Sequence, residues 1–230
     1  MSTQTIAPSR TEFRIAKRQQ ESLLAGVEKR CLLWLAQRMP ERVNSDHLTL
    51  LGLAAMLLAG TSYALSARWP WLLLAVNVWL AVNWFGDSLD GTLARYRNQQ
   101  RPRYGFYVDH IVDSISALFL IGGLAISGQM SAWPAMGILV SFYLLSIDSY
   151  LATYTIGTFR LSFWKFSPTE LRILLAVGNA AALLYPTTHV FGQTFKFFDL
   201  AGGIGAAAMM VVVIISVLRN TRTLYREERI

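Results

Sequence analysis

Asp87-Ser88-Leu89-Asp90-Gly91-Thr92-Leu93-Ala94-Arg95, nine further residues, and then Gly105-Phe106-Tyr107-Val108-Asp109-His110-Ile111-Val112-Asp113 form the stretch around which the chain is organised. Asp87 and Asp90 stand three apart, and Asp109 and Asp113 four apart. On helices, both spacings put each pair on one face. Gly91, Ala94 and Arg95 continue the first face, and Gly105 lies one turn ahead of Asp109 on the second. Two antiparallel helices would therefore gather four carboxylates beside residues with small side chains. Such a cluster in apolar surroundings repels itself unless cations compensate. Its all-oxygen donor set suits hard cations such as magnesium, manganese or calcium. The glycines and Ala94 leave backbone bare where a bulky ligand can lie close. The plainer alternative is two polar helix ends with surface carboxylates. The apolar residues around and beyond Asp109 and Asp113 argue against it, because carboxylates within membrane segments are rare.

Working outward, the composition is that of a membrane protein. The 230 residues are 53% hydrophobic and 15% charged, less charged than soluble domains of this size. Leu48 to Ser66 and Leu200 to Leu218 are each nineteen residues without a charge, enough to cross a bilayer. Between them the pattern predicts spans from near Trp69–Trp71 to Arg95, from Gly105 to about Ser127, from about Trp133 to Thr158, and from about Ser167 to Tyr185. No stretch shows strand alternation. The expected fold is all-α: a polytopic bundle of six transmembrane helices over residues 47–219. A cytoplasmic segment, residues 1–46, precedes it and a short basic tail, residues 220–230, follows.

Residues 1–10 read as disordered. From about Thr11 to Met39, Phe13, Ile15, Leu23, Leu24, Val27, Leu32 and Leu35 interleave with Arg14, Lys17, Arg18, Lys29 and Arg30. That predicts an amphipathic helix, lying on the membrane surface or packed on the protein's own cytoplasmic face. Pro40 ends it. The first 46 residues lack an early apolar run, so no cleavable leader is expected. Of 21 Lys and Arg residues, 19 fall on one side of the predicted spans, and only Arg68 and Lys196 on the other. Positive charge accumulates on the cytoplasmic side, which places both termini and the carboxylate stretch there. The net charge of +7 thus reflects topology rather than nucleic-acid binding. Cys31, the single cysteine, forms no internal disulfide.

The pattern Asp-x2-Asp-Gly-x2-Ala-Arg, a short loop, then Gly-x3-Asp-x3-Asp resembles the signature of the CDP-alcohol phosphotransferases, integral membrane enzymes of phospholipid synthesis. Every fixed position is present, and only the loop departs, with nine residues where about eight are expected by analogy. The resemblance implies transfer of a phosphatidyl or phospho-alcohol group from a CDP-linked donor to an alcohol hydroxyl, with release of CMP. It implies two divalent cations, Mg2+ or Mn2+, held by Asp87, Asp90, Asp109 and Asp113. It further implies Asp113 as general base, a donor site at Gly91, Ala94, Arg95 and Gly105, and a homodimer. CDP-diacylglycerol is the expected donor, with a CDP-aminoalcohol and a diacylglycerol acceptor as the second option. Tyr154-Thr155-Ile156-Gly157-Thr158 and Pro168-Thr169-Glu170 are similar to a stretch in enzymes that use CDP-choline or CDP-ethanolamine.

Val43-Asn44-Ser45-Asp46-His47-Leu48-Thr49 resembles the opening of the family's first helix, but Ser45 and Asp46 replace a Pro-Asn pair. Asp46 is therefore read as a helix cap. Arg160, Lys165 and Arg172 are candidates for binding an acceptor or phosphate on the motif's side. Asp148 lies inside a predicted span, either functional or paired with a hydroxyl or an arginine. A reading from another class, a carboxylate-based cation or proton transporter, leaves Gly91, Ala94, Arg95 and Gly105 unexplained.

Overall fold

The computed structural model describes residues 17–19, 24–160 and 168–229. Residues 1–10, expected to be disordered, lie outside them. Helix α1 spans Ala25–Arg38, α2 Ser45–Leu65, α3 Leu72–Tyr96, α4 Pro102–Ile126 and α5 Ala132–Thr155. Helix α6 follows over Pro168–Leu184 and α7 over Phe197–Glu227. Strands are short: β1 Lys17–Gln19, β2 Thr158–Arg160, β3 Thr187–Val190 and β4 Gln193–Lys196.

Five helices, α2, α3, α4, α5 and α7, are long and apolar enough to cross a membrane. Helix α6 coincides with the fifth predicted span but has 17 residues as described. Helix α7 is 31 residues long. It does not stop at Leu218 as the charge-free run suggested, but carries Arg219, Arg222 and Arg226 beyond it on the same helix. Residues 219–230 contain no proline or glycine to break the helix.

Two expectations need correction. The N-terminal helix does not run from Thr11: Lys17–Gln19 is extended and pairs in parallel with Thr158–Arg160, and the helix begins at Ala25. Between Ile15 and Leu23 there is no large apolar side chain, so a helix there would have no face to bury. The second correction is a β-hairpin in a chain read as free of strands. β3 and β4 pair antiparallel around Phe191 and Gly192, both at positive φ (48° and 78°), the backbone of a tight hairpin turn. Its signal was hidden because both faces are largely exposed, so no alternation of apolar and polar residues was needed.

Helix α2 is central, packing on α3 and α4. Its first turn is capped by Asn44, whose side chain accepts the His47 N–H at 3.0 Å while His47 Nδ1 accepts the Asn44 N–H. Asn44, not Asp46, is thus the cap. At the α2–α4 crossing the backbones touch. A Cβ added to Gly123 would lie 2.0 Å from the Gly60 carbonyl oxygen. A Cβ on Gly86, the residue before Asp87, would lie 2.5 Å from the Leu48 oxygen. Small residues let helices approach this closely inside a membrane. Gly123→Ala should therefore destabilise the protein by about 1–3 kcal/mol or more, as overpacking does. Gly122→Ala, whose added Cβ meets nothing within 4 Å, is the control. Thermal unfolding in detergent of both variants checks this; equal stabilities would show that the crossing yields.

Helix α1 lays Leu32 and Ala36 against Leu48, Leu89 and Leu93. Its outer surface carries Val27 and Trp34, with the Arg38 guanidinium 4.1 Å from the Trp34 ring centre. One end of the bundle therefore gathers α1, the start of α2 and the end of α3. Arg97 reinforces this by donating to the carbonyls of Met39, Pro40 and Val43.

Candidate active site

Helix α3 supplies Asp87 and Asp90, and α4 supplies Asp109 and Asp113. Helix α2 packs on both α3 and α4, and the two carboxylate pairs sense one another's charge. Asp90 feels the charges of Asp87 and Asp109, and Asp113 those of Asp87, Asp109 and Asp90. Asp113 lies one turn deeper along α4 than Asp109 and is exposed, on a helix otherwise lined with apolar residues.

Each carboxylate of α3 has a distinct anchor. Asp87 forms an ion pair with Arg172 of α6, both side chains being mostly buried. The same guanidinium donates through Nε to Asn83 Oδ1 at 2.8 Å, and Asn83 Nδ2 donates to the Gly52 carbonyl at 3.1 Å. Asp90 accepts from Thr49 Oγ1 at 2.6 Å and from the Gly91 N–H. Ser45 Oγ donates to the Asp90 carbonyl at 3.1 Å. Helices α2 and α6 thus orient the motif of α3.

The small-residue positions separate. The Arg95 side chain folds back over Gly91, where a Cβ would lie 3.3 Å from Nη1, and donates to Thr92 Oγ1 at 3.1 Å. Ala94 lines a cavity of about 380 Å³ together with Asn44, Ser45, Asp46, Arg97 and Arg101. There Asp46 is ion-paired with Arg101. Gly105 faces open space. Of the candidate acceptor-binding residues, Arg172 is brought to the carboxylates. Arg160 lies in β2, and Lys165 falls outside the described residues. His110 packs between rings, its ring centre 4.1 Å from that of Phe106 and 4.7 Å from that of Tyr150.

Asp148 proves to be a structural anchor. Ser216 Oγ donates to it at 2.5 Å and Asn220 Nδ2 at 3.2 Å, tying α5 to α7.

Several polar residues escaped the reading of the sequence. Asn83, Asp87 and Asp90 share one face of α3 at spacings of four and three, a signal that extending the motif backwards would have found. Thr169, Arg172, Ala176 and Asn179 form the matching face of α6. At its far end, Asn179 Nδ2 donates to Asn77 at 2.7 Å and Tyr63 donates to Asn179 at 2.5 Å. Tyr150 of α5 stands near Ser114, Asp113 and Asp109. Single residues on separate helices carry no spacing that links them.

The donor chemistry of four aspartates fits a hard divalent cation. Among the described residues no three acidic, His or Cys side chains converge closely enough to enclose one ion, and Arg172 holds Asp87.

This bundle, with its paired aspartates and small-residue positions, is matched by the family model of the CDP-alcohol phosphatidyltransferases over residues 43–218. The chain belongs to that family of transferases and is a multi-pass integral membrane protein. Among curated relatives, cholinephosphotransferase 1 of Homo sapiens is 30% identical over 63% of this chain and 37% of its own length. The Bos taurus protein of the same name is 30% identical over 76% of the chain and 46% of its own length. Archaetidylinositol phosphate synthase of Pyrococcus horikoshii is 27% identical over 49% of the chain and 53% of its own length. The chain therefore spans about half or less of the cholinephosphotransferases just named.

Proposed function

We propose that the protein transfers a substituted phosphate group from a CDP-linked donor to an alcohol hydroxyl, releasing CMP. The observation that carries this reading is the complete motif, with its four carboxylates within electrostatic reach of one another and its small residues beside them. A transporter needs intramembrane carboxylates, but not Gly91 under a folded Arg95.

In this reading Asp87, Asp90, Asp109 and Asp113 would hold two divalent cations, Mg2+ or Mn2+, which would supply charge neutralisation for a diphosphate. The chain's own groups do the rest. Arg95 and the bare backbone at Gly91, Ala94 and Gly105 receive the donor. Asp113 takes the proton from the acceptor hydroxyl, its exposure on the span giving a lipid-borne group access. Arg172, beside Asp87, attracts the phosphate that crosses between substrates. The cholinephosphotransferase relatives and the Tyr154–Thr158 likeness favour a CDP-aminoalcohol donor with a diacylglycerol acceptor over the CDP-diacylglycerol expected from sequence.

Six spans, with α6 among them, and both termini in the cytoplasm belong to the same proposal. So does α1 resting at the membrane surface on Val27 and Trp34, and so does a homodimer. The Lys and Arg asymmetry supports the orientation. The test is a panel of CDP donors offered to purified protein, with CMP measured and the lipid product identified by mass. CMP from a CDP-aminoalcohol with diacylglycerol is expected. CMP only from CDP-diacylglycerol would reverse the donor assignment, and no CMP from any donor would remove the transferase reading.

A further inference from the structure

We infer that Glu28 of α1 is a positioning residue for the transfer, setting the end of α6 that presents Arg172 to Asp87; this rests on the transferase reading. Its Oε1 accepts three hydrogen bonds from two other helices. Trp84 Nε1 donates at 2.9 Å and Ser88 Oγ at 3.4 Å, both from α3, and Thr169 Oγ1 of α6 donates at 2.6 Å. Ser88 directly follows Asp87, and Trp84 precedes it by three residues, on the adjoining strip of the helix. On α6, Thr169 and Arg172 are three apart and share a face. One carboxylate oxygen therefore joins the two segments whose charged members, Asp87 and Arg172, form the ion pair of the site.

Two features make Glu28 more than a surface acid. Hydrogen bonds to an ionised acceptor are roughly twice as strong as neutral ones, so a single carboxylate can hold both helices. A second bond reinforces the docking: Glu170 Oε1 of α6 accepts the backbone N–H of Leu24 at 3.2 Å, just before α1 begins. The opposite end of α6 is fixed separately, by Asn77 and Tyr63 through Asn179. Glu28 thus controls the motif end of α6, where a small rotation would swing Arg172 away from Asp87 and Asn83. Neither the motif nor a spacing rule includes Glu28, since it lies 59 residues before Asp87 on a different helix.

The test compares Glu28→Ala, Glu28→Gln and Thr169→Val with the wild type. Glu28→Ala should lower kcat for CMP release by up to about 10²-fold, the cost of misplacing a group near the chemistry. Glu28→Gln keeps an oxygen acceptor and should recover most of that loss, while Thr169→Val should reproduce it in part. Hydrogen exchange followed by mass spectrometry should rise at residues 172–175, the first amides bonded within α6, in Glu28→Ala and stay unchanged around Asn179. In an Arg172→Lys background, Glu28→Ala should cost little more, because residues that act through one another are not additive. Fully additive losses, or unchanged exchange at 172–175, would overturn the inference. Should Glu28→Ala fail to fold, the exchange of Thr169→Val decides. A wild type that releases no CMP sinks the transferase reading instead, and the exchange data then still report whether Glu28 sets α6.

Discussion

Asp113→Asn is expected to lower CMP release by about 10²–10⁴-fold, the usual cost of losing a general base, while donor affinity changes little. Asparagine preserves the size of the side chain and one acceptor oxygen, but takes no proton at neutral pH. Asp113 is the carboxylate placed deepest along α4, and it is exposed there. The anchors seen for the α3 carboxylates, Thr49 for Asp90 and Arg172 for Asp87, do not include it. The donor positions Gly91, Ala94 and Arg95 belong to α3 and remain intact in the variant. The measurement is turnover and donor affinity on the same preparation. Near wild-type turnover would remove Asp113 from the base role. Loss of donor and divalent-cation binding in step with turnover would make it a ligand first.

Arg172→Met is expected to destabilise the protein by on the order of 3 kcal/mol in buffer free of divalent cations, the lower end for removing one member of a buried ion pair. The guanidinium serves two acceptors at once, Asp87 and Asn83 Oδ1. Methionine fills the space and leaves both acceptors without their donor in surroundings where water is scarce. The double variant Arg172→Met/Asp87→Asn should recover much of the loss, because the uncompensated charge is gone. Thermal unfolding in detergent, compared across the four members of this cycle, checks the result. A single variant as stable as the wild type would show the ion pair to be superficial. A titration with Mg2+ adds a second readout: the single variant should gain more stability from the cation than the wild type does, since the cation compensates Asp87 in place of the arginine.

The candidate site was legible where it was local. Asp87 and Asp90, and Asp109 and Asp113, are linked by helical spacing, and a spacing of three or four is visible in any helix before folding. Length and hydropathy likewise reveal the spans, because the bilayer requires a run of apolar residues whatever its neighbours are. Glu28, Asn83, Thr49 and Thr169 were not legible as a group. Each is an ordinary polar residue on its own segment, and only packing brings them to α3. The β3–β4 hairpin escaped for a related reason: an exposed hairpin buries no face, so its sequence carries no period.

By itself, then, the sequence determined a mainly helical membrane chain, the four motif aspartates and the side on which positive charge collects, since periodicity, apolar length and charge counts are properties of segments. Only the tertiary structure decided that Arg172 reaches Asp87 and Asn83. It also decided that Asp148 is tied to Ser216 and Asn220 and that α1 is joined through Glu28 to both α3 and α6. Those are pairings between helices far apart in the chain. Their partners are chosen by close backbone approach, as at Gly60 and Gly123, and by the need to satisfy every polar group removed from water.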